Sequence, residues 1–231
     1  MITLRPAQER GHANHGWLDS YHSFSFANYY DPEHMGVSVL RVINDDTVDP
    51  GAGFGTHAHR DMEIISYVIE GALEHKDNMG NGSIIRPGEV QRMSAGSGIS
   101  HSEYNASNEE TVNFLQIWII PNSQGVEPGY AQKDFSDELD DRLCLVASPD
   151  GREGSLSMYQ DVLLYASRLK MDDVLQYPLE PDRIAYLHLA KGEAIVNGVP
   201  MSCGDGITIK DETAVEINTE HEAELLLFDL P

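Results

Sequence analysis

Two short stretches of the chain carry residue types that bind metals, and both use the same spacing. In "GTHAHRD", residues 55 to 61, His57 and His59 stand one residue apart; in "GISHSEYN", residues 98 to 105, His101 and Glu103 repeat that spacing after the Gly-rich turn "AGSG". On an extended strand alternate side chains share a face, so residues two apart point the same way with Cβ atoms about 7 Å apart. Each pair therefore offers two ligands to one ion. On facing strands of a small barrel the two pairs would converge on a common point, giving three imidazoles and one carboxylate. A mixed N and O set of this kind suits Fe, Mn, Co, Ni, Cu or Zn and leaves one or two coordination positions for substrate or O₂. A single His-x-His in a β-protein is more often a surface or hydrogen-bonded pair than a ligand pair. The second pair, again behind a Gly turn, is what favours a metal.

Such spacing has meaning only if the segments are strands, and the rest of the chain reads that way. Short runs rich in Val, Ile, Leu, Phe and Tyr occur at 37–43, 63–69, 112–120, 163–171, 184–190 and 224–230. Between them lie "NDDTVDPGAG", "DNMGNG", "RPGE", "AGSG", "VNGVP" and "CGDG", the Gly, Asn, Asp and Pro punctuation of an all-β sandwich or barrel. No long amphipathic helix is expected, the acidic segment "DFSDELDD" (134–141), read as a linker, being the one place for one. The halves echo each other: "YVIEGALEH" followed by "RPGEV" is matched by "LAKGEAIVNG" followed by "CGDGI". A duplicated β-module with its boundary near 122 to 140 follows. Eight of the ten histidines lie at or before residue 101, while His188 and His221 have no ligand spacing, so the chemistry is placed in the first module. Histidines 12, 15, 22, 34 and 75 are read as exposed or structural, "HANH" at 12–15 having no strand pattern around it.

Composition sets outer bounds. At 231 residues, 41% apolar and 23% charged, the chain has globular composition and length for two modest domains. Its 38 acidic against 15 basic residues give a net charge of −23, which repels nucleic acid phosphates and anionic lipid alike. The first residues lack the apolar core of a secretory signal, and the longest apolar run, "FLQIWII", is far short of the ~20 residues of a membrane helix, so a cytoplasmic protein is expected. Two cysteines, Cys144 and Cys203, make no disulfide framework and receive no role.

"GFGTHAHRDMEIISYVIEG" followed by "RPGEVQRMSAGSGISHSEYN" resembles the two cupin motifs, and a Glu two residues after the last His is similar to the pirin variant. "FSFANYYDP" (24–32), "SPDGREGSL" (148–156) and the ending "LLLFDLP" (225–231) also resemble bacterial pirin-like proteins, so the likeness spans essentially the whole chain. It implies a bicupin of two antiparallel barrels: 1–130, with a single mononuclear metal, and 131–231, degenerate and without ligands. The family's ligands fall on His57, His59, His101 and Glu103. General cupins take their carboxylate from His-x-His-x₃-Glu, where Glu63 stands with the parity of His57 and His59; following the closer family, Glu63 is expected to orient a ligand or a water by hydrogen bond. Asp61, of the same parity, is read as solvated.

The resemblance further implies quercetin 2,3-dioxygenase activity, cleaving flavonols with O₂ and releasing CO, with Fe(II) the metal expected among the divalent candidates. Glu103 is the candidate for both ligand and base, and Phe26, Phe54, Met93 and Trp118 for walls of an aromatic slot. A second reading, a metal or redox sensor acting through a protein partner, is separated from the first by turnover. A third is a different cupin enzyme, such as a sugar isomerase or another dioxygenase, because fold and metal alone do not decide the substrate. A monomer is expected.

Overall fold

The apolar runs separated by Gly and Asn turns form strands in the computed structural model, which describes residues 1–231. The only helical segments are two three-residue 3-10 turns, Ala7–Glu9 and Arg152–Gly154. No helix is long and apolar enough to cross a membrane.

Three antiparallel-rich sheets make two barrels in tandem, the bicupin architecture. A seven-stranded sheet runs in the order Gly129–Asp134, Glu89–Ser94, Glu63–Glu70, Val112–Ile119, Leu40–Val48, Leu18–His22, Gly11–Asn14. A four-stranded sheet of Gly53–His59, Ile99–Asn105, Leu73–Asp77 and Gly82–Ile85 faces it and completes the first barrel. Ten strands, among them the thirteen-residue Ile184–Val196, build the second. Corresponding turns in the two barrels use left-handed glycines, Gly71 (φ 78°) and Gly192 (φ 76°). A Cβ at either would meet a backbone carbonyl, Thr111 O at 2.6 Å or Glu222 O at 2.0 Å.

The sheets do not part at residue 130. Gly129–Asp134 pairs with Glu89–Ser94 and belongs to the first barrel, while Ile2–Arg5 pairs with Gly206–Ile209 in the second, so the chain starts in the second barrel before building the first. The acidic segment between them forms no helix. Phe135 and Leu139 are fully buried there, which pins the crossover while its carboxylates stay outside.

The two large sheets are packed face to face. The largest apolar cluster, 25 buried residues, lies between the barrels and joins Ile43, Ile65, Tyr67 and Ile117 of the seven-stranded sheet to Val146, Leu164, Leu226 and Phe228 of the ten-stranded one. Each such side chain contributes about 1.5–3 kcal/mol by leaving water. Glu63–Glu70 is therefore buried on both faces along nearly its whole length, which is why "EIISYVI" shows no polar alternation. Inside the second barrel a 15-residue cluster that includes Leu187, Ile207, Leu225 and Leu227 fills the lumen. Inside the first there are only two small clusters, one around Phe114 and Val68 and one around Ile64 and Met93. The space between them holds the polar site.

Candidate metal centre

Gly53–His59 and Ile99–Asn105 are hydrogen-bonded neighbours, with His57 opposite His101 and His59 opposite Ile99. The two ligand pairs thus share one sheet, where facing strands were expected; they converge because all four side chains point into the same lumen. A register shift between His101 and Glu103 sets Glu103 opposite Phe54. The extra residue on the histidine strand turns Phe54 to the same interior as His57, although they stand at i and i+3. Ring centroids of His57, His59 and His101 are 4.5 to 4.9 Å apart. Their ligand atoms lie within 4.8 Å of one another, close to the span that two bonds of about 2.0–2.2 Å bridge. Glu103 lies within the same limit of His101.

Neighbours decide which nitrogen each imidazole presents. His57 Nδ1 donates to Gly55 O at 2.8 Å, leaving Nε2 for the site. His101 Nδ1 is 3.4 Å from His75 Nδ1, and His75 Nε2 is 3.2 Å from Asp77 Oδ2. With the carboxylate accepting from His75 Nε2–H, His75 Nδ1 accepts from His101, and the lone pair of His101 stands on Nε2. That atom is buried and has no hydrogen-bond partner. Burial, reinforced by the neighbouring imidazoles, lowers His59 to about 4 and His101 to about 3, so both are neutral at pH 7 as ligation requires. Glu103, 2% exposed, accepts from Ser66 Oγ at 3.1 Å through one oxygen and from Gln116 Nε2 at 2.7 Å through the other, both reaching across from the seven-stranded sheet. Three converging imidazole nitrogens, one buried and orphaned, with one braced carboxylate fit a transition metal.

His75 is the site residue that sequence reasoning missed. It is fully buried, stacked on Tyr130 at 4.8 Å, and joins His101 to Asp77. "LEHKD" held the signal, a His-x-Asp pair sharing one face of a strand.

Glu63 is a correction. Asp61 adopts a left-handed conformation (φ 49°) in the turn between Gly53–His59 and Glu63–Glu70, so face parity is not carried from one strand to the next. Glu63 emerges opposite Ser94 on the outer face of the seven-stranded sheet, accepting from Ser94 Oγ at 2.8 Å, with no hydrogen bond to any of the four candidate ligands. Asp61 braces its turn by accepting from Gly125 N at 2.6 Å.

A cavity of about 440 Å³ opens on the centre, lined by His57, His59, Glu103 and Gln116 and walled by Phe26, Phe54 and Trp118. Trp118 stands edge-on to His59 at 5.0 Å and to Phe26 at 5.4 Å. Met93 does not line it; opposite Ile64 in the ladder, it is fully buried in the apolar cluster with Ala95 and Ile99. His22 is a buried wall residue, and His12 and His15 reach the rim, where His12 pairs with Asp19 at 2.6 Å. His34 is held away from the cavity by Asp31 at 2.7 Å.

Fold and site together define a two-barrel cupin with a candidate metal site in the lumen of the first barrel. Residues 3–119 match the Pirin family model and residues 145–230 the model described as the quercetinase C-terminal cupin domain, and the chain belongs to the pirin family. It is 52% identical over 231 residues to the quercetin 2,3-dioxygenase of Escherichia coli K12, covering all of this chain and 99% of that one. It is also 43% identical to a pirin-like protein of Caulobacter vibrioides, with 99% of each covered. The crystal structure of the bacterial pirin YhhW from Escherichia coli in complex with nickel(II) superposes with a TM-score of 0.96 at 52% identity, covering 100% of this chain and 99% of that one.

Proposed function

We propose that this protein is a metal-dependent dioxygenase that cleaves flavonols such as quercetin with O₂, releasing CO, and that His57, His59, His101 and Glu103 hold one divalent transition metal, Fe(II), per chain. The observation that carries the reading is the orphaned His101 Nε2, on an imidazole packed against His57 and His59, which with Glu103 line an aromatic-walled cavity. The relatives' names support it, as does the nickel(II) in the crystal structure of the Escherichia coli protein.

When bound, the metal supplies Lewis-acid and redox chemistry to the substrate oxygen and to O₂. The chain's own residues do the rest. Glu103 accepts the proton of the flavonol 3-hydroxyl, while Ser66 and Gln116 hold its carboxylate in one orientation. Phe26, Phe54 and Trp118 take a flat ring system and displace water from the reacting edge. Both cysteines are free thiols, as a reducing cytoplasm would leave them.

The test combines elemental analysis of protein purified without added metal with an oxygen-electrode assay on quercetin. O₂ uptake is expected to rise in proportion to metal content up to one ion per chain, with CO in the headspace. Protein holding one ion per chain that takes up no O₂ would remove the dioxygenase reading.

A further inference from the structure

The cavity has a second polar end that the metal chemistry does not use. Across the inner face of the seven-stranded sheet, cross-strand pairing aligns His22, Asn44, Gln116, Ser66 and Gln91 in one row, and sets Ser20 beside Asp46 one pair further along. Gln116 and Ser66 serve Glu103. Ser20, His22, Asn44 and Asp46 make no side-chain hydrogen bond to the candidate metal ligands, yet all four line the cavity and none is more than 4% exposed.

This patch has more buried acceptors than hydrogens to satisfy them. Ser20 Oγ donates to Asp46 Oδ1. Its hydrogen is thereby used, so the 2.9 Å contact between Ser20 Oγ and His22 Nε2 has the imidazole donating. His22 Nδ1 then carries a lone pair, and it has no partner; Asn44 Oδ1 has none either. Burial, then the nearby His12, His15 and Arg10, hold His22 below its usual pKa and so neutral. Burial raises the Asp46 carboxyl to about 7, against the Ser20 hydrogen bond and with help from Asp45 and Glu103. Buried acceptors without donors are costly, about 1–3 kcal/mol each, unless something supplies the hydrogen.

We propose that Ser20, His22, Asn44 and Asp46 form a hydroxyl-binding subsite, which accepts hydrogen bonds from phenolic hydroxyls on the part of the substrate turned away from the metal. This rests on the flavonol reading of the site and narrows it: the substrate is a polyhydroxylated flat aromatic, held by its reacting edge at the histidines and by remote hydroxyls at Asp46, with Phe26, Phe54 and Trp118 between. An aromatic without those hydroxyls leaves the acceptors unpaired, which is how a buried polar site discriminates.

Calorimetric titration under argon, on protein loaded with nickel(II), tests the proposal without turnover. Fisetin and unsubstituted 3-hydroxyflavone have the same 3-hydroxy-4-keto reacting edge and differ only in the remote 7-, 3'- and 4'-hydroxyls, whereas quercetin adds a 5-hydroxyl beside the 4-carbonyl. The wild type is expected to bind fisetin about 10-fold or more tightly than 3-hydroxyflavone, the size of the penalty for leaving a buried acceptor unpaired. In Asp46→Asn that ratio should fall toward one, with melting temperature and nickel content measured alongside. A wild-type ratio near one, equal weakening of both ligands in the variant, or no binding of either ligand would each overturn the subsite. If the ratio appears but the iron-loaded protein takes up no O₂ with quercetin, the subsite stands and the dioxygenase reading fails.

Discussion

Glu63 and Glu103 are both buried acids in the first barrel, 1% and 2% exposed, yet their environments assign them different work. Glu103 is met by Ser66 and Gln116 inside the lumen; Glu63 is met by Ser94 on the outside of the sheet. Glu103→Gln retains a coordinating oxygen and nearly the same volume but cannot take a proton. Metal content should fall modestly, while quercetin turnover per bound metal falls by roughly 10²–10⁴-fold, the usual contribution of a positioned base. Glu63→Gln should leave both at wild-type values. Rates normalised to metal by elemental analysis decide between them, and loss of metal in Glu63→Gln with an unaffected Glu103→Gln would reverse the assignment. The i, i+2 spacing singled out His57, His59, His101 and Glu103, which the fold brings to one lumen, because that rule is local to one strand. It misled for Glu63, where a left-handed residue at Asp61 interrupts the count.

At the level of elements, the clearest departure from expectation is Leu40–Val48. Its second half, "NDDTV", reads as turn residues, but it continues the strand, pairing with Val112–Ile119 on one side and Leu18–His22 on the other. Polar residues occupy a central strand there because Asn44 and Asp46 face a cavity and not a packed core. A contrasting case is Ile184–Val196, where His188 is fully buried with neither ring nitrogen partnered. Burial, then Arg10, outweigh the pull of Asp45 and lower it to about 4. An imidazole whose folded pKa lies below its unfolded value of about 6.5 contributes stability above that pH, and the contribution is lost as pH falls toward the folded value. His188→Leu removes this liability. Its stability gain over wild type should therefore grow from pH 7 to pH 4, by on the order of 2 to 3 kcal/mol. Urea unfolding at the two pH values measures it; a gain independent of pH would show that the imidazole is not held neutral by burial.

For the whole molecule, the largest apolar cluster lies between the barrels, and the N-terminal strand is donated to the second barrel. The two halves should therefore unfold together. Scanning calorimetry of the full chain is expected to give one cooperative transition. A fragment of residues 1–140, with Ile43, Ile65, Tyr67 and Ile117 uncovered, should be recovered mainly as aggregate. Two separated transitions, or a soluble fragment with native near-UV dichroism, would show the barrels to be independent.

Local pattern, read from the amino acids alone, determined the all-β class, the main apolar strands, the doubling of the β-module, and the four candidate ligands that the fold brings to one lumen. Each of these follows from alternation, Gly placement or spacing within a few residues. Tertiary structure decided the remainder. It placed the two pairs on neighbouring strands, brought His75 and Asp77 behind His101, turned Glu63 to the outer face of its sheet, packed Met93 into an apolar cluster away from the cavity, and gathered Ser20, His22, Asn44 and Asp46 at the cavity's far end. The physical reason is cross-strand register: which side chains meet inside a barrel depends on pairings between segments dozens of residues apart, and one bulge or left-handed turn changes the face a residue presents.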